Sequence, residues 1–424
     1  MVCTGELRGV LLALRLAIIA DDLTGAHEAA SHFALRGLQT RVIPRWETGE
    51  VNGEVLALST RARSAARDAA VLTARAVSRF APSSVDRLYL KVDSTMRGPV
   101  AAFVQGALEA WSARHRGAIA IVCPSHPLLG RTVRDGTVRL DNRPIDQGAP
   151  GDDLLNPVRT SRLGELLPGS VHVVPHDRRD PEAVATALEA VSVASSILTV
   201  DAECVEELTA LAIAIDRLGP RAIAVGSGGL ASTVAASLPS GGPGYAGRRT
   251  QARGSSGPVI VLVSSRHPLA REQSLRFISL RSPGLARLAP SLSDLSSDDT
   301  GLGPLYSLAE PQFVIVTPPR ALPNHVADAA ESVAAGMARV VAGVEEAYSA
   351  RAAIVVGGDG AQALLERWNC ESIDVYGSVM EGVPYGVVQG GTVEGLPIAT
   401  KAGGFGDYDT IVQTADYFSR RGDE

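Results

Sequence analysis

Along most of its length the chain alternates short apolar runs with longer, alanine-rich stretches of helical period. In the first half one run ends at Ile18-Ile19-Ala20, and others follow at Val55–Leu58, Arg87–Val92, Ala118–Val122, Val171–Val174, Ser196–Val200 and Ala222–Val225. The runs are continuously apolar, as strands buried on both faces of a parallel sheet are, and the stretches between them suit crossover helices. From Pro239 to Gly257 the chain turns to Gly, Ser, Pro and Arg with hardly an aliphatic residue, which reads as a linker. The pattern restarts with Val259–Val263, Phe313–Thr317, Ala352–Val356, Gly386–Val388 and Leu396–Thr400, while Pro290–Gly303 reads as a surface loop. The expectation is an α/β protein of two domains, each a mainly parallel sheet flanked by helices: a leader over 1–13, a first domain over 14–238, the linker over 239–257 and a second domain over 258–424. Ligands of open α/β sheets bind beyond the carboxyl ends of the strands, which puts the expected active site in the cleft between the domains.

Length and composition narrow the partners. At 424 residues the chain exceeds the size at which a single core stops growing. Hydrophobic residues at 45% and charged residues at 20% are ordinary for a globular protein. With 4% aromatic residues and a formal net charge of −6, the chain offers neither stacking platforms nor a basic face to nucleic acid. No run reaches the roughly eighteen apolar residues that span a bilayer. Val10–Ala20 is apolar, but Glu6 precedes it, Arg15 interrupts it, and Asp21-Asp22 stands where a signal peptide would carry small residues. Cys3, Cys123, Cys204 and Cys370 lack C-x-x-C spacing, so neither a metal site nor a disulfide framework is indicated, and a reducing cytosol fits. The expected partners are small molecules, not nucleic acid or membrane, with a homodimer as the base-rate assembly.

The chemistry gathers where strands end. Ile18-Ile19-Ala20 runs into Asp21-Asp22-Leu23-Thr24-Gly25 and then a helical pattern from Ala26 to Leu35, closed by Gly37. One Asp suffices to cap a helix; the second needs another reason. Lys91-Val92-Asp93-Ser94-Thr95-Met96-Arg97-Gly98 packs cations, a carboxylate and hydroxyls into one turn, and Ser59–Ser64 adds Arg61 and Arg63. Arg grips a carboxylate with two parallel hydrogen bonds while Asp and Ser bond sugar hydroxyls, so the set suits a small polyhydroxy acid. The competing reading is a solvated turn with surface ion pairs.

In the second half, Val356 leads into Gly357-Gly358-Asp359-Gly360 and the helical pattern Ala361–Trp368, a turn that offers backbone N–H groups and a helix dipole to phosphate. Leu396–Thr400 leads into Lys401-Ala402-Gly403-Gly404-Phe405-Gly406-Asp407, where the lysine can neutralise phosphate and the glycines permit close approach. Either loop alone would pass for a tight turn; together they suggest one nucleotide pocket. No G-x-x-x-x-G-K-[ST] motif or protein-kinase set occurs. Gly226–Ala231 fits G-x-G-x-x-A, yet Ser232–Arg271 contains no acidic residue, so a turn that packs a helix tightly is the simpler reading. The eight histidines read as structural or surface residues.

Ala20-Asp21-Asp22-Leu23-Thr24-Gly25-Ala26 and Lys91–Gly98, supported by Gly226-Ser227-Gly228-Gly229-Leu230 and Lys401–Gly406, resemble the four-carbon acid sugar kinase family, and the resemblance covers almost the whole chain. It implies a sugar-binding first domain and a nucleotide-binding second one. It also implies phosphorylation of the terminal hydroxyl of threonate, erythronate or 3-oxo-tetronate, with ATP and Mg2+. Residue by residue it puts Asp21, Asp22, Arg63, Lys91, Asp93, Ser94 and Arg97 around the sugar acid. Ser265, Gly357, Gly358, Asp359, Gly360 and Gly403 fall near ATP, joined by Lys401 and Gly404 of the second loop. Asp22 is then the base or hydroxyl-orienting residue and Asp21 assists it or contacts magnesium; Arg97, Lys91 and Arg63 hold the substrate carboxylate, and Asp93 with Ser94 orients hydroxyls. The chain departs from the family pattern in four places: Ser264-Ser265 stands where Gly-Ser is usual, Gly360 where Thr is usual, Ala402 where Ser is usual, and Pro99-Val100-Ala101-Ala102 where an acidic residue often follows the Arg-Gly pair. Two other readings stay open. One is an NAD(P)-dependent oxidoreductase on small hydroxy acids, resting on Gly226–Ala231 and Arg248-Arg249; the other is a sugar-acid-binding regulator without catalysis, resting on Gly360 and Ala402.

Overall fold

A computed structural model describes residues 14–47, 52–80, 85–153, 156–241, 252–296, 310–319 and 327–420. The leader, the middle of the linker with Arg248-Arg249, and 297–303 of the expected surface loop lie outside them. The first half of the chain forms β1 (Leu16–Ala20), β2 (Thr40–Ile43), β3 (Val55–Ser59), β4 (Leu88–Lys91), β5 (Ile119–Cys123), β6 (Arg131–Arg134), β7 (Thr137–Leu140), β8 (Arg143–Pro144), β9 (Val171–Val173), β10 (Ile197–Val200) and β11 (Ala222–Gly226). The second half forms β12 (Val259–Val263), β13 (Leu285–Leu288), β14 (Phe313–Val316), β15 (Ala352–Val356), β16 (Ser372–Met380), β17 (Val383–Gln389) and β18 (Pro397–Lys401).

Eight strands of the first half lie parallel in the order β2-β3-β1-β4-β11-β5-β10-β9, with helices between them. Every residue of β1, β3, β5 and β11 is buried, which is why these strands read as unbroken apolar runs. The second half repeats the arrangement as β13-β14-β12-β15-β18, all parallel, and adds the antiparallel hairpin β17-β16. The α/β architecture with mainly parallel sheets is the expected one.

The periodicity does not show how the halves join. β16 pairs antiparallel with β2 through Ile373↔Val42 and Asp374↔Arg41, so the described strands of both halves form a single 15-stranded sheet. One apolar core runs beneath the seam, with Phe33, Leu38 and Val42 of the first half in the same cluster as Leu364, Ile373 and Val375 of the second. β17 runs against β18 because it returns from a hairpin, and it extends Gly386–Val388 at both ends. Leu292–Ser296 is a short helix inside the stretch expected to be loop.

A separate three-stranded sheet, β6-β7-β8, is inserted after β5. Its two turns place Asp135 and Gly136, then Asp141 and Asn142, at φ of 51, 65, 49 and 65°, the paired left-handed conformations that type I′ hairpins need. No helix of the described residues is long and apolar enough to cross a membrane.

Candidate active site

Asp21 and Asp22 stand where β1 ends. Asp22 has extended backbone and accepts the Gly25 N–H on Oδ1 at 2.7 Å, so it caps the helix Leu23–Leu35, which starts three residues before the apolar pattern does. Thr24 donates its hydroxyl to Asp22 Oδ2 at 3.0 Å. Arg63, beyond β3, donates from Nη2 to both Asp21 oxygens at 2.9 Å, from Nε to Asp21 Oδ2 at 3.1 Å and from Nη1 to Asp22 Oδ2 at 2.8 Å.

These surroundings separate two identical carboxyls. Burial lifts that of Asp21 to about 6 against the pull of Arg63, and the charge of Asp22 adds to the rise. Burial also pushes the Asp22 carboxyl up, but Arg63, Lys91 and the Gly25 N–H together outweigh it and hold it below its ordinary value. Asp22 is therefore ionised at neutral pH, while Asp21 titrates close to it.

Beyond β4, buried Lys91 puts Nζ 2.9 Å from Glu28 Oε2. Met96 sits at φ 57°, a conformation rare for a residue with a side chain, and the chain folds back so that Arg97 reaches Asp93. Arg97 donates from Nε to Asp93 Oδ2 at 2.7 Å and from Nη2 to Oδ1 at 2.9 Å, and its Nη1 lies 3.2 Å from Asp153 Oδ2. Arg63, Lys91 and Arg97, expected to hold a ligand carboxylate, are thus all bonded to carboxylates of the protein. A cation at the end of a buried strand is costly without a counter-ion, and Glu28 and Asp153 supply charge that comes near only in the folded chain. Arg61 turns away to Glu331 and Glu366 of the second half, at 2.7 and 3.4 Å.

In the second half Ser264-Ser265, Gly357–Gly360 and Lys401–Gly404 follow β12, β15 and β18, three neighbouring strands, and their loops pack on one another. Gly357 has φ 115°, and a β-carbon there would stand 2.5 Å from Ser264 Oγ. A β-carbon at Gly360 would overlap Ser264 and one at Gly403 would overlap Ser265, while one at Gly404 would stand 3.0 Å from His267 Nε2. The helix Gly358–Arg367 begins inside this turn, so its free N–H groups open onto the loop surface. Lys401, expected to neutralise phosphate, turns inward onto its own loop. It is 1% exposed, Nζ donates to the carbonyls of Ala402 and Phe405 at 2.8 Å, and burial pushes its ammonium down to about 7. Its role is to tie the glycine loop together.

The two halves meet at Asp22. A β-carbon on Gly358 would stand 2.9 Å from Asp22 Oδ2, and Asp359 next to it has its carboxyl raised, by burial first and then by Asp22. Close by, Ser94 Oγ, Glu28 Oε1, His126 Nδ1 and Arg131 Nε are buried without a hydrogen-bond partner among the described residues, although Glu28 Oε1 and His126 Nδ1 stand 3.9 Å apart. Native interiors seldom leave such atoms unsatisfied, and Ser94 Oγ and Arg131 Nε are placed to meet a polar ligand. His126 also bonds Glu381 of the second half, Nε2 to Oε1 at 3.0 Å.

Glu28, His126, Arg131, His267 and Glu381 escape the sequence reading. The strand-end rule applied to Ile119–Cys123 points at His126, and the Asp135-Gly136 hairpin signal leads back to Arg131, while nothing local marks Glu28. The glycines of Gly226–Ala231 serve close packing, as the simpler reading has it. β-carbons at Gly228 and Gly229 would overlap Glu28 and the Ser125 carbonyl, leaving no room for a pyrophosphate there.

Two stretches of the chain match known protein families. Residues 16–234 match the model of a sugar-binding N-terminal domain, and 306–411 that of a nucleotide-binding C-terminal domain. A D-threonate kinase of Bordetella bronchiseptica is 34% identical over 422 residues, covering 96% of this chain and 98% of its own. A 3-oxo-tetronate kinase of Methylobacterium radiotolerans is 27% identical over 432 residues, covering 96% and 99%. A crystal structure from Salmonella typhimurium shares the fold at a TM-score of 0.73 and 19% identity, over 94% of this chain and 98% of that one.

Proposed function

The chain belongs to the four-carbon acid sugar kinase family, and on that premise we propose that it transfers the terminal phosphoryl group of ATP to the terminal hydroxyl of a four-carbon sugar acid, giving the 4-phosphate. The observation that carries this is the apposition of Asp22 Oδ2 to Gly358, which sets a carboxylate ionised at neutral pH against the turn suited to phosphate. Asp22 orients the acceptor hydroxyl and takes its proton as the new O–P bond forms and the bond to the departing ADP breaks. Arg63 fixes Asp22, and Asp21 holds Arg63. Lys91 pairs with Glu28, Arg97 keeps Asp93 as a carboxylate, and Glu28 and Asp93 accept hydrogen bonds from the substrate's other hydroxyls beside Ser94. The Gly357–Gly360 turn and the loop built by Lys401 receive the phosphates through backbone N–H groups. Transfers of this kind are accelerated mainly by positioning and charge neutralisation.

Magnesium fits one place. Burial and the charge of Asp22 make ionised Asp359 costly, and Mg2+ is commonly held by one or two carboxylates together with substrate phosphates. Asp359 would hold it together with the substrate phosphates, and bound there it would neutralise phosphate charge.

The test is ADP release from ATP–Mg2+ over D- and L-threonate, D- and L-erythronate and their 3-oxo forms, with phosphorus NMR of the product. At least one acid should yield ADP and a C4 phosphate ester in equal amounts. ADP formation with none of them, or with the phosphate on another carbon, would overturn the proposal.

A further inference from the structure

Four cations reach the acid-binding side of the cleft, and three are spent: Arg63 on Asp21 and Asp22, Lys91 on Glu28, and Arg97 on Asp93 and Asp153. Arg131 is the fourth. It opens β6 and is tied to His126 by backbone hydrogen bonds in both directions, so the inserted sheet delivers it beside the acid-binding strand ends. Its guanidinium donates from Nη1 to the Leu129 carbonyl, and Nε is buried without a partner. No carboxylate among the described residues pairs with it. Burial pushes the guanidinium below its ordinary value, and the pull of Asp93, Asp141 and Glu28, near but unbonded, does not make up the difference.

The other face of Arg131 is occupied from across the cleft. Its guanidinium carbon lies 5.4 Å from the ring centroid of Phe405, which follows the glycines of the nucleotide loop and packs on Gly382 of the β16–β17 turn. This contact leaves Nε without a partner, and a guanidinium meets a carboxylate with two parallel hydrogen bonds. A guanidinium stays charged at any physiological pH, so a partly buried one without a counter-ion calls for an anion.

We propose that Arg131 is the specificity residue that binds the carboxylate of the sugar acid, the role that Arg63, Lys91 and Arg97 are too engaged to fill. The inference rests on the kinase reading and assigns the acid end of its substrate. The same chemistry gives it two consequences. Removing the guanidinium weakens the acid and leaves ATP alone, and a neutral substrate no longer suffers by comparison with a charged one.

The experiment compares wild type, Arg131→Gln and Arg131→Lys, with D-threonate, D-erythronate and the neutral amide of each as acceptors. Losing a charge-assisted pair should raise KM for the acid by about 10- to 100-fold, with KM for ATP within about twofold. Arg131→Gln should use acid and amide equally well, whereas wild type prefers the acid, and Arg131→Lys should recover part of that preference. A preference that survives in Arg131→Gln, or a raised KM for ATP with an unchanged KM for acid, overturns the assignment and leaves the kinase reading standing. If wild type turns over none of the acids, the kinase reading fails and thermal shifts with D-threonate and D-erythronate decide Arg131 separately. Stabilisation of wild type that is lost in Arg131→Gln supports it; equal stabilisation of both, or of neither, overturns it.

Discussion

Asp21 and Asp22 carry the same side chain on consecutive residues, and what distinguishes them is the partner each carboxylate faces. Asp22 keeps a proton acceptor ready at neutral pH because Arg63, Lys91 and the Gly25 N–H outweigh its burial, whereas at Asp21 burial and the charge of Asp22 outweigh Arg63 and the carboxyl stands at about 6. As pH falls through that value Asp21 becomes neutral and loosens its hold on Arg63. Activity should therefore fall with an acid limb near pH 6, and a kcat/KM profile of Asp21→Asn should lack it; an identical limb in the variant would assign it to another group. The same shift predicts a stability effect of definite sign. Because the folded chain keeps this proton to higher pH than the unfolded one, ionising Asp21 costs stability progressively between 3.8 and about 6. Asp21→Asn should gain on wild type in urea midpoint as pH rises across that window, and a gap that stays constant would contradict the shift.

At the scale of elements, the loop after β15 shows why departures from a family pattern have to be read in pairs. Gly360 lacks the hydroxyl that the family usually has there, but Ser264, where the family usually has Gly, occupies the same space, since a β-carbon at position 360 would overlap its side chain. The two departures therefore meet in one space, and the expectation is that they compensate each other. Gly360→Thr alone should weaken ATP binding by about tenfold or more, and Ser264→Gly with Gly360→Thr should restore most of it, a coupling expected of side chains in contact. Additive losses in the double variant, followed by calorimetry with ATP–Mg2+, would show that the positions do not share this space. The acid pair, the glycine turns and the buried parallel strands were legible because each is written in consecutive residues. The ion pairs of Lys91 with Glu28 and Arg97 with Asp153, and the inward turn of Lys401, were not, because burial and the partner's position arise only when distant strand ends meet. β16 escaped notice for a related reason: a strand that mixes Ser, Asp and Gly with apolar residues reads as loop until β17 and β2 flank it.

For the molecule as a whole, the seam between β2 and β16 makes one sheet of two halves and so fixes how the acid-binding and phosphate-type loops face each other. Arg41 bonds Asp374 there, Nε to Oδ1 at 2.7 Å, with the Asp374 side chain 6% exposed. Arg41→Ala should lower stability by about 1–3 kcal/mol in urea unfolding, the range for losing a charge-assisted bond, and an unchanged midpoint would mean that the seam gains nothing from the pair. The central claim is that Asp22, brought by the fold against Gly358, acts on the hydroxyl that receives phosphate. The most direct measurement is turnover and ATP affinity of Asp22→Asn beside wild type, with the best acid acceptor. The account predicts a fall in kcat of about 100-fold or more with ATP binding little changed. Turnover equal to that of wild type would contradict it.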